Sequence, residues 1–233
     1  MRFDVLTLFP DMFAPVLQAS ILKRAQEKGA LEVHLHNFRD VATDTHKTVD
    51  DSPYGGGAGM LLKVDILDTA LQQVLSLPEV ASLQPEERRI ILLCPQGRRL
   101  EQGQVKRLAQ YKQVTLICGH YEGFDERIRS LVDEELSIGD YVLTGGELPA
   151  MVLIDALTRL QPEVLHADTP DEESFSIVDE AGNPLIEYPH YTRPVEYKGE
   201  RVPDVLLSGN HAEIKKWRLE QAKERTAKLN NAN

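Results

Sequence analysis

The sequence predicts an α/β fold around a mainly parallel sheet, and three observations support this prediction. Short apolar segments alternate with helical segments over residues 2–160, as in successive strand–helix–strand units. Several apolar segments end in glycine-containing turns, which is typical of strands that lead into helices. The 233 residues are 42% hydrophobic and 27% charged, so the chain can bury a core without disulfides or a structural metal.

The strands and helices follow from apolar spacing. Apolar or alternating segments predict strands at residues 2–9, 31–36, 89–93, 114–118 and 136–138. Apolar residues three to four positions apart predict helices that end at Gly29 and that cover 64–77, 100–111, 124–132 and 148–160. His34 and His36 share one strand face and are interpreted as exposed polar residues.

Polar segments separate these elements. The glycine-rich stretch 37–60 is predicted to be a long loop, a type that is usually functional or disordered. Residues 162–187 are acidic, lack a clear period and are interpreted as a linker between domains 1–161 and 188–233. Asn210, with Glu213 three residues later, predicts the start of a long helix that runs to about Lys228.

The formal charge of −11 argues weakly against a nucleic-acid partner, but the charge is uneven. Residues 163–187 carry eight acids and no Lys or Arg. Residues 86–112 carry seven basic residues against three acids, and residues 211–233 carry six against three. Because nucleic acid responds to charge within about 8–10 Å, these two basic segments permit RNA binding.

Several classes of protein are excluded, because the sequence lacks the features that they require. No uncharged apolar stretch is long enough to span a membrane, and Asp4 interrupts any export signal. Cys94 and Cys118 form neither a disulfide framework nor a C-x-x-C pair, which fits a reducing cytoplasm. The chain has no Walker loop and no G-x-S-x-G elbow, and its histidines lack the spacing of metal ligands.

Three predicted strands end in loops suited to a flat ligand: 94–97, 118–123 and 137–149. Ligands of open α/β sheets bind outside the carboxyl ends of the strands, where glycine lets the backbone approach closely. A glycine turn alone is weak evidence, because strand–helix turns often need glycine for steric reasons. Three such turns in succession leave a cofactor site and a purely structural role about equally favoured.

The sequence SIGDYVLTGGELPAM, at residues 137–151, resembles the signature of the bacterial tRNA (guanine-N1)-methyltransferases, which belong to the trefoil-knotted SPOUT class. The segments HKTVDD, PYGGGAGM, CPQGRRL, CGHYEGFDER, PHYTRP, VPDVLLSGNH and KWR follow the same family in order. The resemblance therefore covers essentially the whole chain. It implies a knotted domain that binds S-adenosylmethionine over residues 1–161 and a small, mostly helical tRNA-binding domain over 188–233.

The resemblance also implies a cofactor site made of the three loops. The residues expected to bind S-adenosylmethionine are Pro95, Gln96, Gly97, Gly119, Glu122, Ser137, Ile138, Gly139, Asp140, Tyr141, Val142, Leu143, Gly145, Gly146 and Pro149. The family is a homodimer in which each active site uses both chains, and Mg²⁺ is expected as a supporting ion at sites that the sequence leaves unknown.

Methylation at guanine N1 requires removal of the N1 proton and stabilisation of negative charge on O6. In the family, an Asp before a Ser-Phe pair is the base, and an Arg after the GGELPAM helix stabilises the charge. Here the corresponding residues are Glu173 and Arg159. Because Glu replaces the family's Asp, Asp171 is an alternative base, and Glu173 is favoured.

Further residues match positions near the target nucleotide or the RNA backbone: His46, Asp50, Tyr121, Lys215, Lys216 and Arg218. His120 stands where many relatives carry Arg. The leading hypothesis is a cytoplasmic enzyme, without a membrane partner, that methylates the guanosine 3′ to the tRNA anticodon, position 37. Two alternatives are a knotted RNA-binding protein that has lost catalysis and a related methyltransferase that acts on another RNA.

Overall fold

The computed structural model describes residues 1–165 and 172–231, and the chain divides into two compact units after Leu165. The strands of the first unit are β1 (Arg2–Thr7), β2 (Glu32–Asn37), β3 (Asp50–Asp51), β4 (Leu61–Leu62), β5 (Arg88–Arg99), β6 (Gln113–Cys118) and β7 (Glu134–Ser137). Five of them form one sheet in the order β2-β1-β6-β5-β7, and every neighbouring pair is parallel. The predicted α/β class with a parallel sheet is confirmed, and the knot stays a prediction.

The helices of the first unit are α1 (Ala14–Leu17), α2 (Ser20–Glu27), α3 (Val64–Leu75), α4 (Pro78–Ala81), α5 (Gln102–Leu108) and α6 (Glu147–Thr158). Short 3₁₀ helices lie at Pro10–Met12, Phe38–Val41, Pro85–Glu87 and Glu126–Leu131. Within 124–132, which is predicted to be helical, the helix is of the 3₁₀ type and covers Glu126–Leu131. Its first turn is capped by the Asp125 carboxylate, which accepts a hydrogen bond from the Arg127 backbone N–H at 3.0 Å.

Apolar residues cover both faces of the sheet. On β1, Phe3 and Val5 pack into one core cluster with α6, and Leu6 packs into a second cluster with α3. All six residues of the central strand β6 are buried, as expected for a parallel strand covered by helices on both sides.

A buried polar network lies near the start of the central strands. Asp4 on β1 is fully buried and accepts hydrogen bonds from Arg2, from Gln113 on β6 and from the half-buried His36 on β2, at 2.8–2.9 Å. Burial by itself raises the pKa of Asp4, but the hydrogen bonds from His36, Arg2 and Gln113 hold it well below its usual range. The prediction that His36 is an exposed polar residue is therefore wrong.

Strand β5 extends beyond the predicted end at residue 93, because its polar tail turns across β7. Leu93 pairs with Leu136, the register then shifts, and Arg98 pairs with the same residue. This arrangement brings the backbone of Gly97 against that of β7. A Cβ at Gly97 would lie 2.5 Å from the Leu136 backbone nitrogen, so only glycine fits.

The second unit contains the hairpin β8 (Glu196–Tyr197) and β9 (Glu200–Arg201), followed by α7 (Asp204–Leu207) and α8 (His211–Asn230). Its core is formed by Leu185, Tyr188 and Ala222, with Ile177 and Leu219 beside them. Residues 172–187, predicted as part of the acidic linker, thus contribute to this core. The predicted cap of α8 is confirmed, because the Asn210 side chain accepts from the Glu213 N–H at 3.4 Å. Among the described residues, no helix is both long and apolar enough to cross a membrane.

Candidate functional site

A cavity of about 240 Å³ lies where the pairing of β5 shifts after Leu93 and where β6 and β7 end. Its walls come from the three loops that the sequence singled out. Thirteen of the residues expected to bind the cofactor line it: Pro95, Gln96, Gly119, Glu122, Ser137, Ile138, Gly139, Tyr141, Val142, Leu143, Gly145, Gly146 and Pro149. The other two lie outside the lining: Gly97 packs against β7, and the exposed Asp140 pairs with Arg99 at 3.1 Å.

The first loop is held by an arginine from the 3₁₀ helix. Arg129 forms an ion pair with Glu135 on β7 and donates a hydrogen bond to the Gln96 side-chain oxygen at 3.4 Å. Glu135 also accepts from the Cys94 thiol at 3.3 Å. Burial raises the pKa of Cys94, which keeps the thiol protonated and makes it a poor nucleophile.

The second loop is supported by the end of the segment 37–60. The Glu122 N–H donates to the Met60 carbonyl at 3.1 Å, and the Leu62 N–H donates to the Gly123 carbonyl at 2.9 Å. Gly119 has no room for a side chain, because a Cβ there would lie 2.8 Å from the Phe124 ring. Tyr121 has a φ of 58° and an exposed ring, so the turn displays this aromatic side chain at the cavity.

The third loop closes the cavity by folding onto the end of β6. The Gly146 N–H donates to the Gly119 carbonyl at 2.9 Å, and a Cβ at Gly146 would lie 2.6 Å from the Cys118 Cα. At the other end of the loop, the Ser137 hydroxyl donates to the Gly139 carbonyl at 2.9 Å. The third loop is therefore anchored at both ends, and most of its residues line the cavity between them.

This geometry fits S-adenosylmethionine, the group that the sequence resemblance implies. Glycines at positions 119 and 146 let the second and third loops pack closely together, because a Cβ at either position would collide with a neighbouring residue, and both loops contribute to the walls of the cavity. The apolar side chains of Ile138 and Leu143 line the same cavity and suit the faces of an adenine ring. Among residues 1–165 and 172–231, no three His, Cys, Asp or Glu side chains are grouped to hold a metal ion.

The two residues expected to act in catalysis belong to different units. Arg159 follows α6 directly, and its N–H donates to the Asp155 carbonyl at 3.1 Å. Glu173 is half-buried in the second unit, and its carbonyl accepts from the Ser176 N–H at 3.0 Å. Asp171, the alternative base, lies outside the described residues.

The residues expected to contact RNA are spread over both units. In the first unit, His46 is exposed, Asp50 is on β3 and Tyr121 lines the cavity. In the second unit, Lys215 and Lys216 are exposed on α8.

Arg218 on the same helix has a structural contact. Its guanidinium lies 4.7 Å from the centre of the Tyr188 ring. It is therefore partly engaged in the packing of the second unit.

Sequence reasoning missed Arg129 and Phe124, which also line the cavity. Both follow β6, within the CGHYEGFDER segment and its continuation, where the apolar period predicts a helix but does not show which side of it faces the cavity. The signal that was available is their position directly after a strand end, where ligand sites of α/β sheets concentrate.

Comparisons with known proteins agree on one family. The family described as tRNA (Guanine-1)-methyltransferase TrmD matches residues 1–231. A tRNA (guanine-N(1)-)-methyltransferase of Anoxybacillus flavithermus is 54% identical over 228 residues, covering 97% of this chain and 88% of the relative. Proteins of the same name from Bacillus pumilus and Geobacillus kaustophilus are each 53% identical, with the same coverage of both chains.

Proposed function

This chain belongs to the tRNA (guanine-1)-methyltransferase family, and we infer that it is an enzyme that methylates N1 of guanine in tRNA. The finer assignment that we propose is the guanosine at position 37, on the 3′ side of the anticodon. The observation that carries the proposal is the cavity formed by three loops within a chain that matches the family over nearly its full length.

S-adenosylmethionine, when bound, supplies the methyl group as part of a reactive sulfonium. We propose that the three loops hold it through backbone groups of residues 95–97, 119–122 and 137–149. The glycines at positions 119, 145 and 146 support this proposal, because a side chain there would collide with a neighbouring residue. The exposed Tyr141 ring shields one side of the cavity, where its hydroxyl donates to the Ile138 carbonyl at 3.3 Å.

We assign proton removal to Glu173 and charge stabilisation to Arg159. A carboxylate within hydrogen-bond distance of guanine N1 can accept the proton that leaves as the N–C bond forms. A guanidinium can donate to O6, where negative charge develops, and so orients the base at the same time. His46, Asp50 and Tyr121 are proposed to position the nucleotide, and Lys215, Lys216 and Arg218 to contact phosphates without reading sequence.

A homodimer with a shared active site is part of the proposal. Exposed apolar side chains support it: Leu148 and Val152 lie one turn apart on α6, with 49% and 45% of their surfaces exposed. Phe9 is also exposed. It lies two residues after Thr7, whose hydroxyl donates a hydrogen bond at 2.7 Å to the carboxylate of Glu147, the first residue of α6. Apolar groups at neighbouring places on one face are typical of a protein interface.

Mg²⁺ and a cytoplasmic location complete the proposal. Mg²⁺ is proposed as a supporting ion, and the part of the chain that the structure describes contains no group of three His, Cys, Asp or Glu side chains that could hold it. The two cysteines are free thiols, and a tRNA substrate places the reaction where tRNA is present.

The decisive experiment measures methyl transfer from labelled S-adenosylmethionine to an unmodified tRNA transcript with guanosine at position 37. Transfer is expected to that transcript and not to one carrying adenosine there. If the protein binds both the cofactor and tRNA but transfers no methyl group, the binding-protein alternative is correct. If it methylates only other RNAs, the substrate assignment is wrong.

Matched variants test the two catalytic assignments. Glu173→Gln is expected to lower kcat by about 10²–10⁴-fold and Arg159→Ala by about 10²–10³-fold, with cofactor affinity unchanged. Glu172→Gln and Arg24→Ala are the controls, since both change an exposed residue of the same type. Loss of activity in Asp171→Asn but not in Glu173→Gln would identify Asp171 as the base.

A further inference from the structure

A buried carboxylate stands at the start of α6, next to the cavity but outside its lining. Only 3% of the surface of Glu147 is exposed, and its Oε1 accepts a hydrogen bond from the Thr7 hydroxyl at 2.7 Å. Burial raises the pKa of the neighbouring Cys118 thiol, and the charge of Glu147 raises it further. The thiol therefore stays protonated.

The second oxygen of this carboxylate faces an imidazole across a glycine. A Cβ at Gly145 would collide with Glu147 Oε2 and would also lie 3.1 Å from His120 Nδ1. The Nδ1 atom is shielded from solvent and has no hydrogen-bond partner among the described residues. The Glu147 carboxylate only accepts hydrogen bonds, as does the Gly119 carbonyl oxygen, which lies 3.2 Å from the same Cβ position. Both acceptors therefore favour the form of His120 in which Nδ1 carries the proton. The other nitrogen, Nε2, is then an acceptor in neutral His120.

The imidazole is held in place by aromatic rings. His120 lines the cavity, with its ring centre 4.9 Å from that of Phe9 and 4.8 Å from that of Tyr121. Phe9 and Tyr121 are themselves 40% and 44% exposed. Aromatic surface beside a fixed hydrogen-bond acceptor is what recognition of an unstacked nucleobase requires.

We propose that His120 binds the target guanine by accepting a hydrogen bond at Nε2 from the exocyclic N2 amino group, and that Glu147 is the positioning residue that holds His120 in the required form. The identity of the base rests on the proposed function. Guanine presents N2–H next to N1–H, so an acceptor for the amino group leaves N1 available for its own proton acceptor. Hypoxanthine lacks the amino group and therefore provides a matched substrate.

The test compares tRNA transcripts carrying guanosine or inosine at position 37. For the unchanged protein, kcat/KM is expected to be at least about tenfold higher with guanosine. In His120→Phe, which keeps a stacked ring but removes the acceptor, this preference is expected to fall to about one. His120→Gln is expected to restore part of the preference, because its side-chain oxygen is again an acceptor.

The role of Glu147 is tested by ¹⁵N NMR of histidine-labelled protein, with His120→Phe used to assign the signal. At a pH where the ring is neutral, the unchanged protein is expected to carry the His120 proton on Nδ1. Glu147→Gln is expected to show a mixture of molecules with the proton on Nδ1 and molecules with the proton on Nε2. Thr7→Val, which keeps the carboxylate but removes its hydrogen bond, is the second variant should Glu147→Gln fail to fold. It is expected to shift the mixture in the same direction by a smaller amount.

The outcomes separate the two levels of the inference. If no tRNA is methylated at guanine, the proposed function fails, and the NMR result still decides whether Glu147 orients His120. If guanosine is methylated but the preference over inosine is absent, or persists in His120→Phe, the role of His120 is refuted. A proton on Nε2 in the unchanged protein refutes the role of Glu147.

Discussion

Replacing the buried Asp4 with Asn is expected to destabilise the protein strongly. The carboxylate is fully buried and accepts four hydrogen bonds, two from Arg2, one from His36 and one from Gln113. An amide keeps one acceptor oxygen and places an N–H₂ group against donors, so two of these bonds are lost. At about 1.5–3 kcal/mol for each bond to a charged group, the free energy of unfolding should fall by about 3–6 kcal/mol.

Thermal and urea unfolding measure this change. At roughly 2–4 °C per kcal/mol for a chain of this size, the Tm is expected to fall by about 6 °C or more. The control is Glu32→Gln, which removes an exposed ion pair with His34 and is expected to change stability by about 0.5 kcal/mol or less. A loss of about 0.5 kcal/mol or less in Asp4→Asn as well would refute the energetic role of the network.

The same network predicts that the free energy of unfolding falls at acidic pH. The pKa of Asp4 in the folded protein lies below its ordinary value of 3.8, so the unfolded chain binds the proton more readily. The stabilisation is therefore present above that ordinary value and is lost as the pH falls below it. The difference between the unchanged protein and Asp4→Asn should shrink between pH 5 and pH 3. A difference that stays constant over this range would contradict the assignment.

Three further predictions follow from the site and the surfaces. Gly97→Ala should displace β7 and so abolish S-adenosylmethionine binding, as measured by calorimetry. The control is Gly103→Ala on α5, where a Cβ meets nothing within 4 Å. This variant should bind S-adenosylmethionine normally and gain up to about 1 kcal/mol of stability. The double change Leu148→Lys and Val152→Lys should convert the proposed dimer to a monomer in sedimentation, while Lys23→Glu on the exposed side of α2 should not. Lys215→Glu should weaken tRNA binding and lower the slope of log Kd against log salt by about one, equally for different tRNA sequences, with Lys23→Glu again the control.

The fold class and the ligand-binding loops were predictable because both depend on local patterns. Apolar segments of four to eight residues and glycine at their ends reflect burial and turn geometry, which neighbouring residues largely determine. The tail of β5 was not predictable in this way. Residues 96–99 are polar apart from Gly97, and they continue the strand only because β7 lies beside them in the fold.

Buried polar contacts also could not be predicted from the sequence. The alternation of apolar and polar residues on β2 predicts an exposed His36, and only the parallel pairing with β1 brings it to Asp4, 32 positions away in sequence. The interaction between Thr7 and Glu147 spans 140 positions. Such pairs depend on tertiary pairing that one sequence does not reveal, whereas the residues around them keep their local signals.

The crossing of β5 over β7 has a consequence for the order of events during synthesis. The segment that carries Pro95 and Gln96 takes its shape against the backbone of Leu136, which leaves the ribosome later. A nascent chain that ends before β7 lacks Leu136 and the loop 137–149, so it cannot form the cofactor cavity. Binding of S-adenosylmethionine therefore reports completion of the first unit, and it stabilises only chains that have passed that point.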